Sequence, residues 1–280
     1  MTRHYRVAGH TFAVSAREEL FALIGNYEPF ACDGGEPLFT LIEDSGAVPE
    51  YTEVYRRNEG LPYIYGRTAS GNNVYEFMES RNSGMCLICS KDNREGRLIM
   101  MGGYLKEKLN RSLMIMYALA TAGSDTLLLH AVVVSCEGKG YLFLGSRGSG
   151  KSTHARLWLE HVEGTKLVND DFPVVRDGMV YGSPWLCKTP CYRNVSVPIG
   201  GIVMLSQASY NKMRRLSGIE AYVNLYESVY NRPWYRCITE DIAKDQRQTM
   251  NKLVSTVPMW HLECLPDEAA ARLCYETITR

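Results

Sequence analysis

Residues 141–152 read Tyr141-Leu142-Phe143-Leu144-Gly145-Ser146-Arg147-Gly148-Ser149-Gly150-Lys151-Ser152. Four apolar residues, typical of a buried strand, lead directly into a glycine-rich turn, and residues 153–161 have the pattern of a helix. The turn matches the phosphate-binding (Walker A) pattern G-x-x-x-x-G-K-[ST] at every fixed position. The segment therefore predicts a strand, a P-loop and a helix in succession.

The residue types of this turn suit a nucleotide phosphate. Glycines allow the backbone to curl until several N–H groups point at one anion, and the following helix adds the positive end of its dipole. Lys151 supplies a point charge for the β- and γ-phosphates, and the Ser152 hydroxyl is placed to bind Mg²⁺. The alternative is a fortuitous glycine-rich turn. The predicted phosphate contacts are Gly145, Ser146, Arg147, Gly148, Ser149, Gly150, Lys151, Ser152 and Thr153.

Two carboxylates, Asp170 and Asp171, end a predicted strand about twenty residues beyond the lysine. One could hold the metal while the other accepts a proton from an attacking hydroxyl. Because consecutive strand residues point to opposite faces, we expect both to serve only if the strand ends at Asn169. The alternative is a solvated Asp-Asp turn.

Turn signals around the loop predict the sheet. The loop strand is the second arm of a hairpin closed by residues 137–140, and Asp177-Gly178 closes another hairpin. Hairpins require antiparallel pairs, so we expect an α/β (α+β) domain with a mixed, largely antiparallel sheet. Residues 127–134 are predicted as one buried strand and residues 211–255 as mostly helical, followed by a strand over 259–264 and a closing helix after Pro266.

The N-terminal third has a different sequence pattern from the rest of the chain. Residues 1–102 alternate apolar and polar positions around turns, including a hairpin of residues 61–67 and 73–78, which predicts a small antiparallel β-rich domain of unknown role. Apolar residues at three- and four-residue spacing predict a helix over 105–120. We place the domain boundary at Gly102-Gly103, with residues 103–280 forming the catalytic domain.

The amino-acid composition argues against several classes of protein. The 280 residues contain 31 Lys plus Arg and 31 Asp plus Glu, so we expect neither nucleic acid nor an anionic membrane as partner. Nine cysteines, an odd number, favour reduced thiols in a cytoplasm over a disulfide scaffold. The chain shows no secretory signal and no apolar run long enough for a spanning helix.

Together, His130, the loop at 145–153 and Leu167-Val168-Asn169-Asp170-Asp171 resemble the catalytic domain of HPr kinase/phosphorylase, over residues 125 to about 206. The resemblance implies the phosphoenolpyruvate carboxykinase type of nucleotide-binding fold, with ATP and Mg²⁺ as cofactors. It further implies Lys151 and Ser152 as phosphate and Mg²⁺ ligands, Asp170 in the metal shell and Asp171 as general base. His130 would lie beside the reacting phosphate; by itself it would be taken for a core histidine.

The chain also departs from that family. HPr kinases carry a second signature, rich in acidic residues, Arg and Gly, after the Asp pair. Residues 195–205 here contain no acid and no arginine. That signature is tied to phosphorolysis and to the HPr partner, so we expect a different acceptor.

The predicted function is an ATP-dependent, Mg²⁺-requiring phosphotransferase acting on a hydroxyl of a small molecule, peptide or protein. In the long segment 182–194, Lys188 or Arg193 could reach the transferring phosphoryl group, unless that segment is simply a surface loop. The alternatives are a P-loop ATP or GTP hydrolase and a nucleotide-binding regulatory module without transfer. The sequence leaves the acceptor and the oligomeric state open.

Overall fold

A computed structural model describes residues 1–58, 62–79, 82–185, 189–230 and 240–279. The chain is a mixed α/β protein whose helices and strands form two compact units. Within the described ranges, the first unit comprises residues 1–121 and the second comprises residues 122–230 and 240–279.

The first unit is built on a sheet with nine strands in the described residues. Its strands are β1 (Thr2–Val7), β2 (His10–Ser15), β3 (Ala31–Cys32), β4 (Thr40–Glu43), β5 (Thr52–Arg57), β6 (Tyr63–Arg67), β7 (Asn73–Glu79), β8 (Asn82–Cys89) and β9 (Glu95–Met100). Its helices are α1 (Glu18–Leu23), α2 (Leu105–Thr121) and the 3₁₀ turn Gly25–Phe30. The strand order is β3-β1-β2-β4-β9-β8-β7-β6-β5.

This first sheet is mixed, so the expectation of an antiparallel module is wrong. The predicted hairpin is confirmed as the antiparallel pair β6 and β7, but β4 lies parallel to both β2 and β9. The two parallel pairings are possible because no hairpin joins β4 to either neighbour: α1, the 3₁₀ turn and β3 lie between β2 and β4 in sequence, and β5 to β8 lie between β4 and β9.

The helix predicted over 105–120 is confirmed as α2. Its apolar face packs on the first sheet: the Tyr117 hydroxyl donates to the Val7 carbonyl at 3.1 Å, and the Ser112 hydroxyl lies 3.7 Å from Met85 Sδ. The predicted second domain starts at residue 103, before this helix. In the structure, the boundary between the two compact units lies after the helix, at residues 121 and 122. Local patterns reveal a helix but not which sheet its buried face covers.

The second unit contains the predicted loop. Its strands are β10 (Thr126–Leu128), β11 (Ala131–Cys136), β12 (Lys139–Leu144), β13 (Lys166–Asp171), β14 (Val174–Arg176), β15 (Met179–Tyr181), β16 (Ser196–Gln207), β17 (Lys212–Leu216) and β18 (Met259–Cys264). Its helices are α3 (Lys151–His161), α4 (Gly218–Ser228), α5 (Glu240–Thr256) and α6 (Glu268–Ile278).

The long strand β16 organises this second sheet. It pairs in parallel with β12 on one side and with β18 on the other, and its first residues pair antiparallel with β15. From β12 the sheet continues through β11 to β13, and from β18 it continues to β17, all antiparallel. The expected mixed, largely antiparallel sheet is therefore present.

Alternation along the strands gives this sheet two buried faces. One face packs against α3 and α6, with Phe143, Val203 and Trp158 among its buried residues. The other packs against α4 and α5, with Leu142, Ile202 and Leu225 among them. Helices on both faces explain why its central strands are apolar throughout.

Of six further local predictions, four are confirmed and two are wrong. The hairpins at 137–140 and at Asp177-Gly178 are confirmed, as are the strand at 259–264 and the closing helix. The single strand over 127–134 is wrong, because residues 129 and 130 separate β10 from β11 and the two strands pair with different partners. The helix across 211–255 is wrong over Lys212–Leu216, where pairing with β18 overrides local propensity.

Among the described residues, no helix is long and apolar enough to cross a bilayer. The seven cysteines in the described ranges, from Cys32 to Cys274, all have free thiols.

Gly201 offers a test of the packing between β16 and α6. A Cβ atom at this position would lie 2.7 Å from both Ile278 and the ring of Trp260. We expect Gly201→Ala to lower the free energy of unfolding by about 1–3 kcal/mol, since the indole cannot yield easily. Urea unfolding followed by circular dichroism measures this change. Gly25→Ala is the control, because its Cβ would meet nothing within 4 Å; equal effects of the two substitutions would contradict this account.

Candidate functional site

The predicted functional residues gather at one edge of the second sheet. Because β12, β16 and β18 run parallel, their carboxyl ends lie at the same edge. β11 begins at this edge and β13 ends there, since Ala131 is paired with Asp171. Residues from five strands, separated by up to 130 positions in sequence, can therefore meet around the loop.

The glycine-rich loop, Gly145–Ser152, leaves the end of β12 and leads into α3. Gly145 has φ +143°, and a Cβ on it would lie 2.4 Å from Ser149 Oγ and 2.9 Å from the Leu205 carbonyl oxygen. Gly148 and Gly150 also have positive φ angles, +86° and +100°. The curl therefore depends on glycine at these positions, as the sequence pattern predicts.

The start of α3 is suited to an anion. Its N-cap residue is Gly150, and within the described residues no side chain caps it and no acid lies in its first turn. The first backbone N–H groups of a helix have no intrahelical acceptor and carry the positive end of the helix dipole. Ser152, the second residue of the helix, is exposed at this end.

Lys151 turns back into the loop. Its Nζ donates to the Gly145 carbonyl at 2.8 Å and to the Ser146 carbonyl at 3.2 Å, and the residue is 8% exposed. A lysine is seldom this buried unless its charge is compensated. The loop carbonyls hold the ammonium inside the curl, where it can meet a phosphate oxygen.

The loop and the acidic strand end are joined by a hydrogen bond. Ser152 Oγ donates to Asp170 Oδ1 at 2.9 Å, and Asp170 is 3% exposed. A buried carboxylate is costly unless positive charge or donors compensate it. A hydroxyl and a carboxylate are hard oxygen ligands, and Mg²⁺ in nucleotide sites takes one or two such protein ligands, with phosphate oxygens and water completing the octahedron. These two residues therefore fit a magnesium ion.

Asp171 lies on the other side of the strand. β13 extends through Asp171, so the strand does not end at Asn169, the condition under which we expected both aspartates to serve on one face. Alternation then turns Asp170 to the face covered by α3 and Asp171 to the face covered by α4 and α5. His130 Nε2 lies 3.3 Å from Asp171 Oδ1, and both side chains are partly exposed.

His130 is held in place by its backbone and its ring. Its N–H donates to the Ser228 carbonyl at 2.7 Å, at the end of α4, and its imidazole packs on Phe172 with ring centroids 5.4 Å apart. His130 therefore lies beside Asp171 at the sheet edge and not in the core.

Two residues that hold parts of the candidate site in place were not predicted from the sequence. Asn169 donates from Nδ2 to Ser183 Oγ at 2.9 Å and accepts from the Asp171 N–H at 3.0 Å, which fixes the end of β13. Gln207, at the end of β16, donates from Nε2 to the Gly148 carbonyl at 2.8 Å and braces the loop. The asparagine could have been found from its place before the acids. The glutamine lies 59 residues from its partner and has no local signal.

A buried histidine lies directly under the loop. His154 is 3% exposed, packs edge-on against Phe143 and accepts a hydrogen bond from Trp158 Nε1 at 3.2 Å. Burial lowers the pKa of His154 to about 4, from an ordinary value near 6.5, because the interior disfavours the imidazolium. The imidazole is therefore neutral at physiological pH.

Of the two candidate phosphate contacts on the segment 182–194, only Arg193 lies in the described part of the chain. Lys188 lies outside the described residues. Arg193 is exposed, its carbonyl oxygen faces Gly182, and in the described part of the chain its guanidinium pairs with neither aspartate of β13.

No family model matches the chain, and no curated protein matches it significantly.

The pKa of His154 predicts how stability depends on pH. The unfolded chain takes up a proton on this imidazole below about pH 6.5, whereas the folded chain resists it until about pH 4. The contribution of the neutral imidazole to the free energy of unfolding is therefore fully present above pH 6.5. It falls by about 1.4 kcal/mol per pH unit as the pH drops towards 4.

Urea unfolding at pH 7 and pH 5 measures this loss. We expect His154→Gln, which cannot titrate but can still accept from Trp158, to lose about 2 kcal/mol less than the original chain over this interval. An identical loss in both chains would show that His154 does not carry the effect.

Proposed function

We propose that this protein is an ATP-dependent, Mg²⁺-requiring phosphotransferase that moves the γ-phosphate to a hydroxyl of a small molecule, peptide or protein. The observation that carries the proposal is the 2.9 Å bond from Ser152 Oγ to Asp170 Oδ1, which joins a phosphate-binding sequence pattern to an acidic strand end. We include in the proposal the P-loop fold of the phosphoenolpyruvate carboxykinase type and a cytoplasmic location.

Binding of the phosphates is assigned to the loop and the start of α3. The loop N–H groups and the helix dipole attract the phosphate chain, and Lys151 Nζ adds a full positive charge. Ser152 Oγ and Asp170 Oδ1 would hold Mg²⁺, which would supply positive charge to offset the charge of the phosphates. Positioning and charge neutralisation are most of what phosphoryl transfer asks of a protein.

Asp171 is the proposed general base. Its carboxylate accepts the proton of the acceptor hydroxyl while that oxygen bonds to the γ-phosphorus and the bond to the leaving ADP oxygen breaks. His130, 3.3 Å from Asp171, orients the carboxylate and lies on the side from which the acceptor arrives. An acceptor that excludes water from this side separates transfer from hydrolysis.

Replacing the loop lysine tests phosphate binding. We expect Lys151→Met, which keeps the aliphatic stem, to weaken binding of Mg·ATP at least about tenfold, because the loop loses its point charge. Isothermal titration calorimetry measures the affinity. The matched control is Lys139→Met, an exposed lysine at the start of β12 and thus at the opposite edge of the sheet. Affinities that agree within twofold for both variants would exclude this role.

Replacing the proposed base separates binding from transfer. We expect Asp171→Asn to keep its affinity for Mg·ATP but to lose transfer by roughly 10²–10⁴-fold, the usual contribution of a general base. Transfer is followed with γ-labelled ATP and an acceptor found by screening, starting from free serine and short serine peptides. Asp177→Asn, in the exposed turn between β14 and β15, is the control.

Two results would count against this mechanism. Unchanged transfer by Asp171→Asn would remove the base assignment. ADP release at the same rate with every acceptor as with water would favour a hydrolase.

A further inference from the structure

A cleft of about 310 Å³ opens beside the glycine-rich loop, on the α3 face of the second sheet. Ser149, Gly150 and Thr153 belong both to its wall and to the predicted phosphate contacts, so the cleft is continuous with the loop. Its remaining wall comes from α3 and from the ends of β16 and β18, including His154, Leu157 and Pro266. Its volume is at the lower end of the range for small-molecule sites.

Hydrogen bonds hold the cleft walls in place without a ligand. Asn211 accepts from the Leu265 N–H at 2.8 Å and donates to Asp267 Oδ1 at 3.0 Å, which fixes the turn after β18. The Ala208 N–H donates to the Cys264 carbonyl at 3.1 Å. Gln207 joins this wall to the loop through its bond to Gly148. A site braced in this way needs little rearrangement on binding.

Two residues that line the cleft, His154 and Ser149, each have a polar atom with no hydrogen-bond partner within the described residues. His154 Nδ1 and Ser149 Oγ are both buried in this state. Because an indole N–H can only donate, Trp158 fixes His154 Nε2 as the acceptor, and the neutral ring must carry its hydrogen on Nδ1. A buried donor without an acceptor is unusual in a native protein and is expected where a ligand supplies the missing partner.

The strand order places the aspartates and the cleft on opposite sides of the loop. Across the sheet edge the order is β13, β11, β12, β16 and β18, so the loop on β12 lies between the aspartates of β13 and the cleft at β16 and β18. If the reacting phosphate faces Asp171, as the proposed function requires, the other end of a bound phosphate chain points towards the cleft.

We infer that this cleft receives the nucleoside of the phosphate donor, with Leu157 and Pro266 contacting the base and His154 Nδ1–H donating to it or to the ribose. The inference rests on the proposed function and adds which residues of the chain bind the nucleoside of ATP. Apolar walls suit the faces of a planar base, and a few placed polar groups fix its orientation.

Filling the cleft tests this assignment. We expect wild-type protein to bind Mg·ATP about tenfold or more tightly than Mg·tripolyphosphate, which shares the phosphates but lacks the nucleoside. Ala208→Trp should abolish most of that preference while tripolyphosphate affinity stays within twofold. Ala269→Trp, the same substitution at an exposed position of α6, should leave both affinities unchanged. Calorimetry measures all three proteins.

The histidine gives a second, milder variant. His154→Phe keeps an aromatic ring but removes the Nδ1–H donor, so we expect ATP affinity to fall about three- to tenfold and tripolyphosphate affinity to remain. Retained tripolyphosphate binding also shows that each variant has folded around an intact loop.

The outcomes distinguish this inference from the proposed function. Unchanged ATP preference in Ala208→Trp, or equal weakening of both ligands, overturns the nucleoside assignment and leaves the phosphate site standing. Wild-type protein that binds tripolyphosphate as tightly as ATP overturns it as well. If Lys151→Met weakens neither ligand, the proposed function itself fails.

Discussion

The parallel pairing of β16 with both β12 and β18 is the constraint on which the candidate site depends. Hairpins alone would alternate the directions of neighbouring strands and spread their ends over both edges of the sheet. Because β16 runs parallel to its two neighbours, the loop after Leu144, Gln207 and Cys264 all come to one edge. Two antiparallel pairings then bring the start of β11 and the end of β13 to the same place.

That pairing is also what the sequence could not predict. The hairpins, the helix α2 and the loop with its glycines follow from turn chemistry and periodicity, which are local. The neighbours of β16 are chosen by burial of Ile202 and Val203 against strands that lie about 60 residues away on either side. The brace from Gln207 to Gly148 follows from that choice and was therefore not visible in advance.

Contacts between residues distant in sequence also explain the wrong predictions of secondary structure. Lys212–Leu216 has three basic and two apolar residues, a pattern that fits a helix face equally well, but it pairs with the edge of β18, and strand pairing decides the outcome. Residues 127–134 are predicted as one apolar strand because local hydrophobicity does not record two bonds at the end of α4. The His130 N–H donates to the Ser228 carbonyl, and the Leu128 carbonyl accepts from the Tyr230 N–H. In the candidate site, the residue types were predictable, whereas the faces they occupy were not.

The extension of β13 through Asp171 changes how the site has to work. With Asp170 towards α3 and Asp171 towards α4 and α5, the two carboxylates cannot share one ligand on one face of the sheet. Each is matched to a different neighbour, Ser152 in one case and His130 in the other.

Such a division suits a reaction in which two different substrates must be brought together while each keeps its own binding site. The α3 face offers the loop, the metal ligands and the cleft, all of which suit a nucleotide. The opposite face offers a carboxylate beside an imidazole and the ring of Phe172, a surface on which a hydroxyl-bearing acceptor can be positioned. Under the proposed function, the γ-phosphate would lie over the sheet edge, where both faces are within reach, and transfer would carry it from one side of the sheet to the other.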